Sequence, residues 1–98
     1  MCGAPVQTLD LEGIDVAKES IVQGTVVREG SPVAGAYVRL LDSTGEFTAE
    51  VQTSATGNFR FFAAPGDWTL RTLTSGGGST DTAATAVQGE VVELTVEV

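Results

Sequence analysis

The residue with the clearest reactive potential is Cys2, the only cysteine in the 98-residue chain. A thiol reacts as its thiolate, and a nearby positive charge favours that form. Removal of Met1, which the small second side chain favours, would place the Cys2 thiol beside an α-ammonium group. Such a thiol could accept a sulfane sulfur, form a mixed disulfide or bind a metal ion, whereas an inert exposed thiol is the simpler interpretation. Cys2 is therefore the one candidate reactive thiol.

Other catalytic and metal-binding signals are missing from the sequence. The chain contains no His, which excludes Ser–His and Cys–His nucleophilic pairs and removes the commonest zinc ligand. Its Asp and Glu residues form no D-x-D-x-D loop of the calcium-binding type. The glycines at 76–78 are followed by neither Lys-Ser/Thr nor a helix, so they form no phosphate loop. We predict no metal site, no cofactor and, Cys2 aside, no catalytic residue.

Charge and composition exclude several classes of partner and location. The 13 Asp and Glu residues outnumber the 5 Lys and Arg residues, and no basic cluster marks a surface for nucleic acid or an anionic membrane. No apolar run approaches the roughly 20 residues that span a bilayer. The start M-C-G-A-P-V-Q-T-L-D lacks the basic and apolar regions of a signal peptide, and one Cys excludes an intramolecular disulfide. We predict a soluble, acidic, cytoplasmic protein.

Turn signals every 8 to 12 residues divide the chain into short segments that alternate between apolar and polar residues. The seven predicted strands are 20–29, 36–42, 47–53, 58–62, 67–73, 80–87 and 91–98. Gly24, inside the first strand, indicates a bulge or a close backbone approach. We predict an all-β, seven-stranded antiparallel Greek-key sandwich over residues 20–98, preceded by a lead-in segment over residues 1–19.

Alternation assigns one face of each strand to the core. The predicted inward residues are Val22, Val26, Val38, Leu40, Phe47, Ala49, Val51, Phe59, Phe61, Trp68, Leu70, Val92, Leu94 and Val96. The stretch 53–70 holds the bulkiest of them, and we expect Trp68 to be largely buried against Phe59 or Phe61, with Leu70 beside it. The predicted outward residues are Ile21, Val27, Tyr37, Arg39, Leu41, Glu50, Arg60, Phe62, Arg71, Glu93 and Glu97.

Aromatic and Arg side chains at outward positions are the candidates for binding, since such residues carry a disproportionate share of interface energy. The four candidates are Phe62, Arg60, Tyr37 and Arg39. We expect a protein partner to dock where Phe62 lies beside Arg60 and near Ile21 or Val27. Cross-strand ion pairs are the simpler role for the arginines, and an edge covered by residues 1–19 is an alternative use of this surface.

Residues 20–74 resemble the carboxypeptidase regulatory-domain and transthyretin-like sandwiches. The resemblance lies in G-T-V-V-R-E-G-S-P-V-A-G-A-Y-V-R-L at 24–40, then T-S-A-T-G-N-F-R-F and P-G-D-W-T-L, which match the family patterns G-x-V, G-x-P-V-x-G-A-x-V-x-L, T-x-x-x-G-x-F and P-G-x-W/Y-x-L. The resemblance implies a transthyretin (prealbumin)-like topology and a role as an accessory or binding module, because such domains seldom carry an activity. The His-dependent site and the C-terminal Tyr-Arg-Gly-Ser of the related hydroxyisourate hydrolases are absent.

A narrower resemblance covers nearly the whole chain. The start M-C-x-x-P and the run E-F-T-A-E-V-x-x-S-A-T-G-x-F-R-F-F-A-A-P-G-x-W-T-L are similar to an actinobacterial family of proteins of about this length and of unknown function. Genes of that family tend to neighbour a rhodanese-type thiosulfate sulfurtransferase, and no catalytic residues are established for it. The resemblance implies a non-catalytic accessory protein of sulfur metabolism with a sulfurtransferase as partner. The alternatives are a sulfur carrier acting through Cys2 and a module that binds a carbohydrate or other small ligand on Phe62 or Tyr37.

Overall fold

The computed structural model describes residues 19–75 and 77–98, and within these residues all regular structure is β-strand. The strands are β1 (Ile21–Arg28), β2 (Ser31–Pro32), β3 (Tyr37–Leu41), β4 (Phe47–Gln52), β5 (Asn58–Phe62), β6 (Gly66–Leu73), β7 (Ser79–Ala86) and β8 (Val91–Glu97). Seven of them match the seven predicted strands to within one or two residues at either end. The two-residue β2 lies in a segment predicted as a loop. Residues 1–18 of the predicted lead-in lie outside the described residues.

The strands form two sheets that pack face to face. Sheet 1 has β1 at its centre, between β8 on one side and β5 and β2 on the other, and sheet 2 has the order β4-β3-β6-β7. The predicted all-β sandwich is confirmed. One pair differs from an all-antiparallel arrangement, because β1 and β8 run parallel from Ile21↔Val91 to Val27↔Glu97.

The core lies between the sheets and is built from the alternating apolar residues of both. Buried core residues include Val22, Val26, Val38, Leu40, Val51, Phe59, Phe61, Leu70 and Val96. The rings of Phe59 and Phe61 lie 6.2 Å apart at an angle of 54°. Trp68 packs against this cluster but is only half-buried, because it lies near the beginning of β6 and its indole N–H donates to the carbonyl oxygen of Ala64 at 2.8 Å. It is therefore less buried than predicted.

The predicted inward face of Phe47 was wrong because the sheet register shifts beside it. Leu40 pairs with Ala49, but the next residue, Leu41, pairs with Phe47, so Thr48 is an extra residue in β4. Beyond this irregularity Phe47 shares the outward face with Leu41 and is 62% exposed. Leu41 lies on the outward face as predicted, but it is buried because it lies in a central strand, between Phe47 and Thr69 of the neighbouring strands.

Two buried threonines allow a matched prediction about hydroxyl groups. Thr53 Oγ1 accepts a hydrogen bond from the N–H of Ala36 at 2.9 Å and donates to the carbonyl oxygen of Val33 at 2.7 Å. Thr72 Oγ1 is also buried, and it has no hydrogen-bond partner among the described residues. A buried hydroxyl without a partner costs about 1–3 kcal/mol, whereas a bonded one stabilises the fold.

We therefore expect Thr72→Val to raise the free energy of unfolding by about 1 kcal/mol and Thr53→Val to lower it by about 1–3 kcal/mol. Urea unfolding followed by circular dichroism measures both changes. Equal losses in the two variants would contradict the different hydrogen bonding of the two side chains.

Candidate functional site

The four binding candidates lie on two opposite outer faces of the sandwich. Phe62 and Arg60 lie on the outer face of sheet 1, whereas Tyr37 and Arg39 lie on the outer face of sheet 2. Phe62 and Tyr37 therefore cannot form one aromatic platform for a sugar ring. Each face has to be considered as a separate candidate surface.

On the outer face of sheet 1, the side chains next to Phe62 are buried. Phe62 is 55% exposed and pairs with Ile21, as predicted, but Ile21 is fully buried. Arg60 faces outward and is only 7% exposed, and its Nε donates to Oε1 of the buried Gln23 at 2.9 Å. The expectation that Arg60 and Ile21 would be available on this surface was wrong. Of the predicted docking residues, Phe62 is exposed and Val27 is half-buried, while Arg60 and Ile21 are buried.

Hydrogen-bonded polar side chains extend from Arg60 across sheet 1 to β8. Gln23 donates from Nε2 to Oε1 of Glu93 in β8 at 2.9 Å, while its own oxygen accepts from Arg60. Gln23 thus joins a basic residue on β5 to an acidic one on β8, which fixes the orientation of its amide. Val27, the other predicted neighbour of Phe62, lies at the far end of β1, opposite Pro32 and Glu97. The alternative cover, residues 1–19, lies outside the described residues except for Glu19.

The outer face of sheet 2 is the more accessible of the two. Three rows of side chains cross it in register: Gln52, Tyr37, Leu73 and Ser79; Glu50, Arg39, Arg71 and Asp81; and Phe47, Leu41, Thr69 and Ala83. Tyr37 is 39% exposed and Phe47 is 62% exposed, and the two arginines lie in the row between them. This face therefore combines aromatic and Arg side chains that are open to solvent.

The middle row, which we call the arginine row, carries acid, base, base and acid across the four strands. Arg39 Nε donates to Oε2 of Glu50 at 2.8 Å. Arg71 makes a two-point contact with Asp81, from Nε to Oδ1 at 2.9 Å and from Nη2 to Oδ2 at 3.1 Å. This hydrogen bonding lowers the pKa of Asp81 and raises the pKa of Arg71 from their usual values. The predicted use of outward arginines in cross-strand ion pairs is found here.

The two arginines of the row are themselves direct cross-strand partners. Like charges in this position repel one another. The flanking acids offset that repulsion, and because both ion pairs are partly exposed to solvent they contribute little to stability. Their main structural effect is to hold two guanidinium groups next to each other on a flat sheet.

Two residues of this face, Phe47 and Arg71, were not among the sequence candidates. Alternation within β4 predicts Phe47 in the core, since nothing within β4 alone reveals the register shift opposite Leu41. Alternation predicts Arg71 on the outward face, and the sequence indicates no binding role for it. Its signal was the occurrence of Arg at outward positions in two strands, 39 and 71, but the sequence does not say that these strands are neighbours.

Other features of the described residues give weaker evidence for a functional site. A shallow cavity of about 310 Å³ on sheet 1 is lined by Gly24, Thr25, Glu93, Leu94 and Thr95. Its Glu93 carboxylate accepts from Gln23 and its Thr25 hydroxyl donates to Asn58, so neither group is paired with the other as base and nucleophile. In residues 19–75 and 77–98 no three acidic or thiol groups gather in a way that could hold a metal ion. None of the described residues belongs to a helix that could cross a membrane. Cys2 lies outside the described residues, and its reactivity stays a prediction.

Comparisons with known proteins give a family and a fold. A family model described as "Protein of unknown function (DUF1416)" matches residues 2–98. The uncharacterized protein Rv0814c of Mycobacterium tuberculosis is 58% identical over 79 residues, which are 79% of this chain and 79% of that protein.

The similarity of this chain to solved structures gives information about its fold alone. The Bacillus anthracis TIE protein has a TM-score of 0.69 at 18% identity, and the match covers 82% of this chain and 16% of that one. The major pilin subunit of Bacillus cereus has a TM-score of 0.62 at 17% identity, with 82% and 30% covered. This chain therefore corresponds to a small part of each of those longer proteins.

Proposed function

Because the chain belongs to the DUF1416 family, which is described as being of unknown function, we propose its role from its surface: it is a non-catalytic accessory protein that binds another protein. The binding surface in this proposal is the outer face of sheet 2. The partner is a rhodanese-type sulfurtransferase, and both proteins act in the cytoplasm. The sequence resemblance described above supports this choice of partner.

One observation carries the choice of surface: Tyr37 and Phe47 are both exposed on a face that also presents Arg39. Tyr and Arg are the residue types that most often dominate binding energy, and an aromatic ring exposed on a flat sheet gains from burial in an interface. The outer face of sheet 1 has one comparable exposed ring, Phe62, and its arginine is buried. Sheet 2 therefore supports protein binding better than the surface predicted from the sequence.

The test is a calorimetric titration of the purified full chain with the purified sulfurtransferase, which measures the dissociation constant. We expect the wild type to bind, and the double variant Tyr37→Ala/Phe47→Ala to bind at least about tenfold more weakly because it lacks both exposed rings. Phe62→Ala is the matched control, since it removes an exposed ring from the opposite face and should leave the affinity unchanged.

Two outcomes would contradict the proposal in different ways. Absence of binding by the wild type would reject the sulfurtransferase as partner. Weaker binding in Phe62→Ala, with the double variant unchanged, would transfer the binding surface to sheet 1.

A further inference from the structure

In the part of the chain that the structure describes, several N–H donors of the arginine row bind no protein acceptor. A guanidinium carries five N–H groups on three nitrogens. Arg39 uses only Nε in its contact with Glu50, and Arg71 uses Nε and Nη2 in its contact with Asp81. Within the described residues, both Nη atoms of Arg39 and Nη1 of Arg71 donate to no protein acceptor. These donors belong to side chains that are direct neighbours across β3 and β6.

Adjacent guanidinium groups with such donors suit an anionic acceptor, and a carboxylate, like a phosphate, matches the geometry of the Arg donors. A small free anion is a poor occupant. The side chains of Arg39 and Arg71 are 46% and 44% exposed, so water and salt screen them, and the chain as a whole carries a net charge of −8. Glu50 and Asp81 also cancel the charge of the row itself.

A carboxylate on a protein surface meets different conditions. If apolar groups around it pack on Tyr37, Phe47 and the half-buried Leu73, water is excluded from the row, and each charge-assisted hydrogen bond becomes stronger in the less polar surroundings. The rim of this face ends in Glu50 on one side and Asp81 on the other, so a partner gains further from basic groups placed beside its carboxylate.

A second copy of this chain does not fit when it is centred on the arginine row. A two-fold contact is self-complementary, so an axis through the middle of the arginine row would bring together Arg39 and Arg71 of both copies. Four guanidinium groups would then face one another, and the acids of each copy would lie at the edges. The charge order of the row thus favours a partner of a different kind, with an acidic centre and a basic rim.

We propose that the protein partner presents an Asp or Glu carboxylate that bridges Arg39 and Arg71, with apolar contacts to Tyr37 and Phe47 around it. This inference rests on the proposed function and specifies the chemistry of the partner surface.

The experiment measures binding of the purified sulfurtransferase to the full chain and to charge variants. Arg39→Glu/Arg71→Glu reverses both charges, and we expect it to weaken binding at least about thirtyfold. Since each new acid would lie beside Glu50 or Asp81, Arg39→Gln/Arg71→Gln serves as a milder variant, and the thermal unfolding midpoint verifies that both are folded. Arg28→Glu is the control, because Arg28 is exposed at the end of β1 in the other sheet.

A reciprocal experiment identifies the carboxylate of the partner that contacts the arginine row. Surface Asp and Glu residues of the sulfurtransferase are replaced singly by Lys, and one replacement should bind the Arg39→Glu/Arg71→Glu chain more tightly than the wild-type chain. Titration with sodium acetate and sodium sulfate tests the small-anion alternative, for which we expect no saturable binding.

Each remaining outcome has a separate meaning. Binding that is unchanged in both double variants would overturn the carboxylate bridge while the proposed function stands. An equal loss in Arg28→Glu would show general charge attraction and also overturn it, as would saturable binding of acetate or sulfate that displaces the sulfurtransferase. No binding by the wild type would reject the proposed function itself.

Discussion

Replacing Gly24 by Ala is expected to lower the free energy of unfolding by about 3 kcal/mol or more, because the added methyl group has no space. Gly24 lies in the central strand of sheet 1, between Leu94 of β8 and Phe59 of β5. A Cβ at this position would overlap the carbonyl oxygen of Leu94 and lie 3.0 Å from Cζ of Phe59. The neighbour that would have to move is backbone, so relief requires separation of β1 from β8.

Gly78→Ala is the matched control for this prediction. The same methyl group at position 78 meets nothing closer than Oγ1 of Thr74 at 3.5 Å, an ordinary contact. We expect its effect on stability to stay within about 0.5 kcal/mol. Urea unfolding of both variants provides the comparison, and a loss in Gly24→Ala no larger than that in Gly78→Ala would show that β1 and β8 are not in close contact.

The second large effect is expected for Phe59→Ala, which should lower the free energy of unfolding by about 3–5 kcal/mol. The Phe59 side chain is fully buried and packs beside Phe61 in the core between the sheets. Its removal loses the free energy of burial and leaves a cavity that the two rigid sheets can close only in part. A domain of this size has about 5–15 kcal/mol of total stability, so this loss removes a large share of it and should lower the thermal unfolding midpoint markedly.

Phe62→Ala makes the identical chemical change three residues along the same strand. Because Phe62 is 55% exposed on the outer face, we expect this variant to lower the free energy of unfolding by about 1 kcal/mol or less. Thermal unfolding midpoints of the two variants measure the difference. Similar losses of stability in the two variants would contradict the burial of Phe59 on the inward face of β5 and the exposure of Phe62 on its outward face.

The sequence predicts β5 well and β4 only in part, for a physical reason. The bounds of β5 follow from local signals, since a turn with Gly57 precedes it and a turn with Pro65 follows it, and alternation then separates Phe59 from Phe62. The face of Phe47, by contrast, depends on how β4 pairs with Leu41 across a register shift. Such a shift belongs to two strands at once, and no pattern within one of them contains it.

The candidate site shows the same limit. Tyr37 and Arg39 were found because outward aromatic and Arg residues are recognisable within a single strand. The contacts that form the arginine row depend on the strand order β4-β3-β6-β7, which brings Asp81 beside Arg71 and Arg71 beside Arg39. Likewise, Arg60 was assigned to the correct face, but its burial depends on neighbours such as Gln23 that only the folded sheet supplies.

The parallel pairing of β1 with β8 has a consequence for how the chain reaches its fold. Gln23 and Glu93, which are partners across this pair, lie 70 residues apart in sequence. Closing such a long loop is entropically costly, and contacts of this range slow folding. Sheet 2 joins β3 to β4 and β6 to β7 through short connections, so we expect it to form earlier. During synthesis on the ribosome, β1 can pair with β5 but keeps one open edge until β8 has emerged, and this interval is when the protein is most exposed to aggregation.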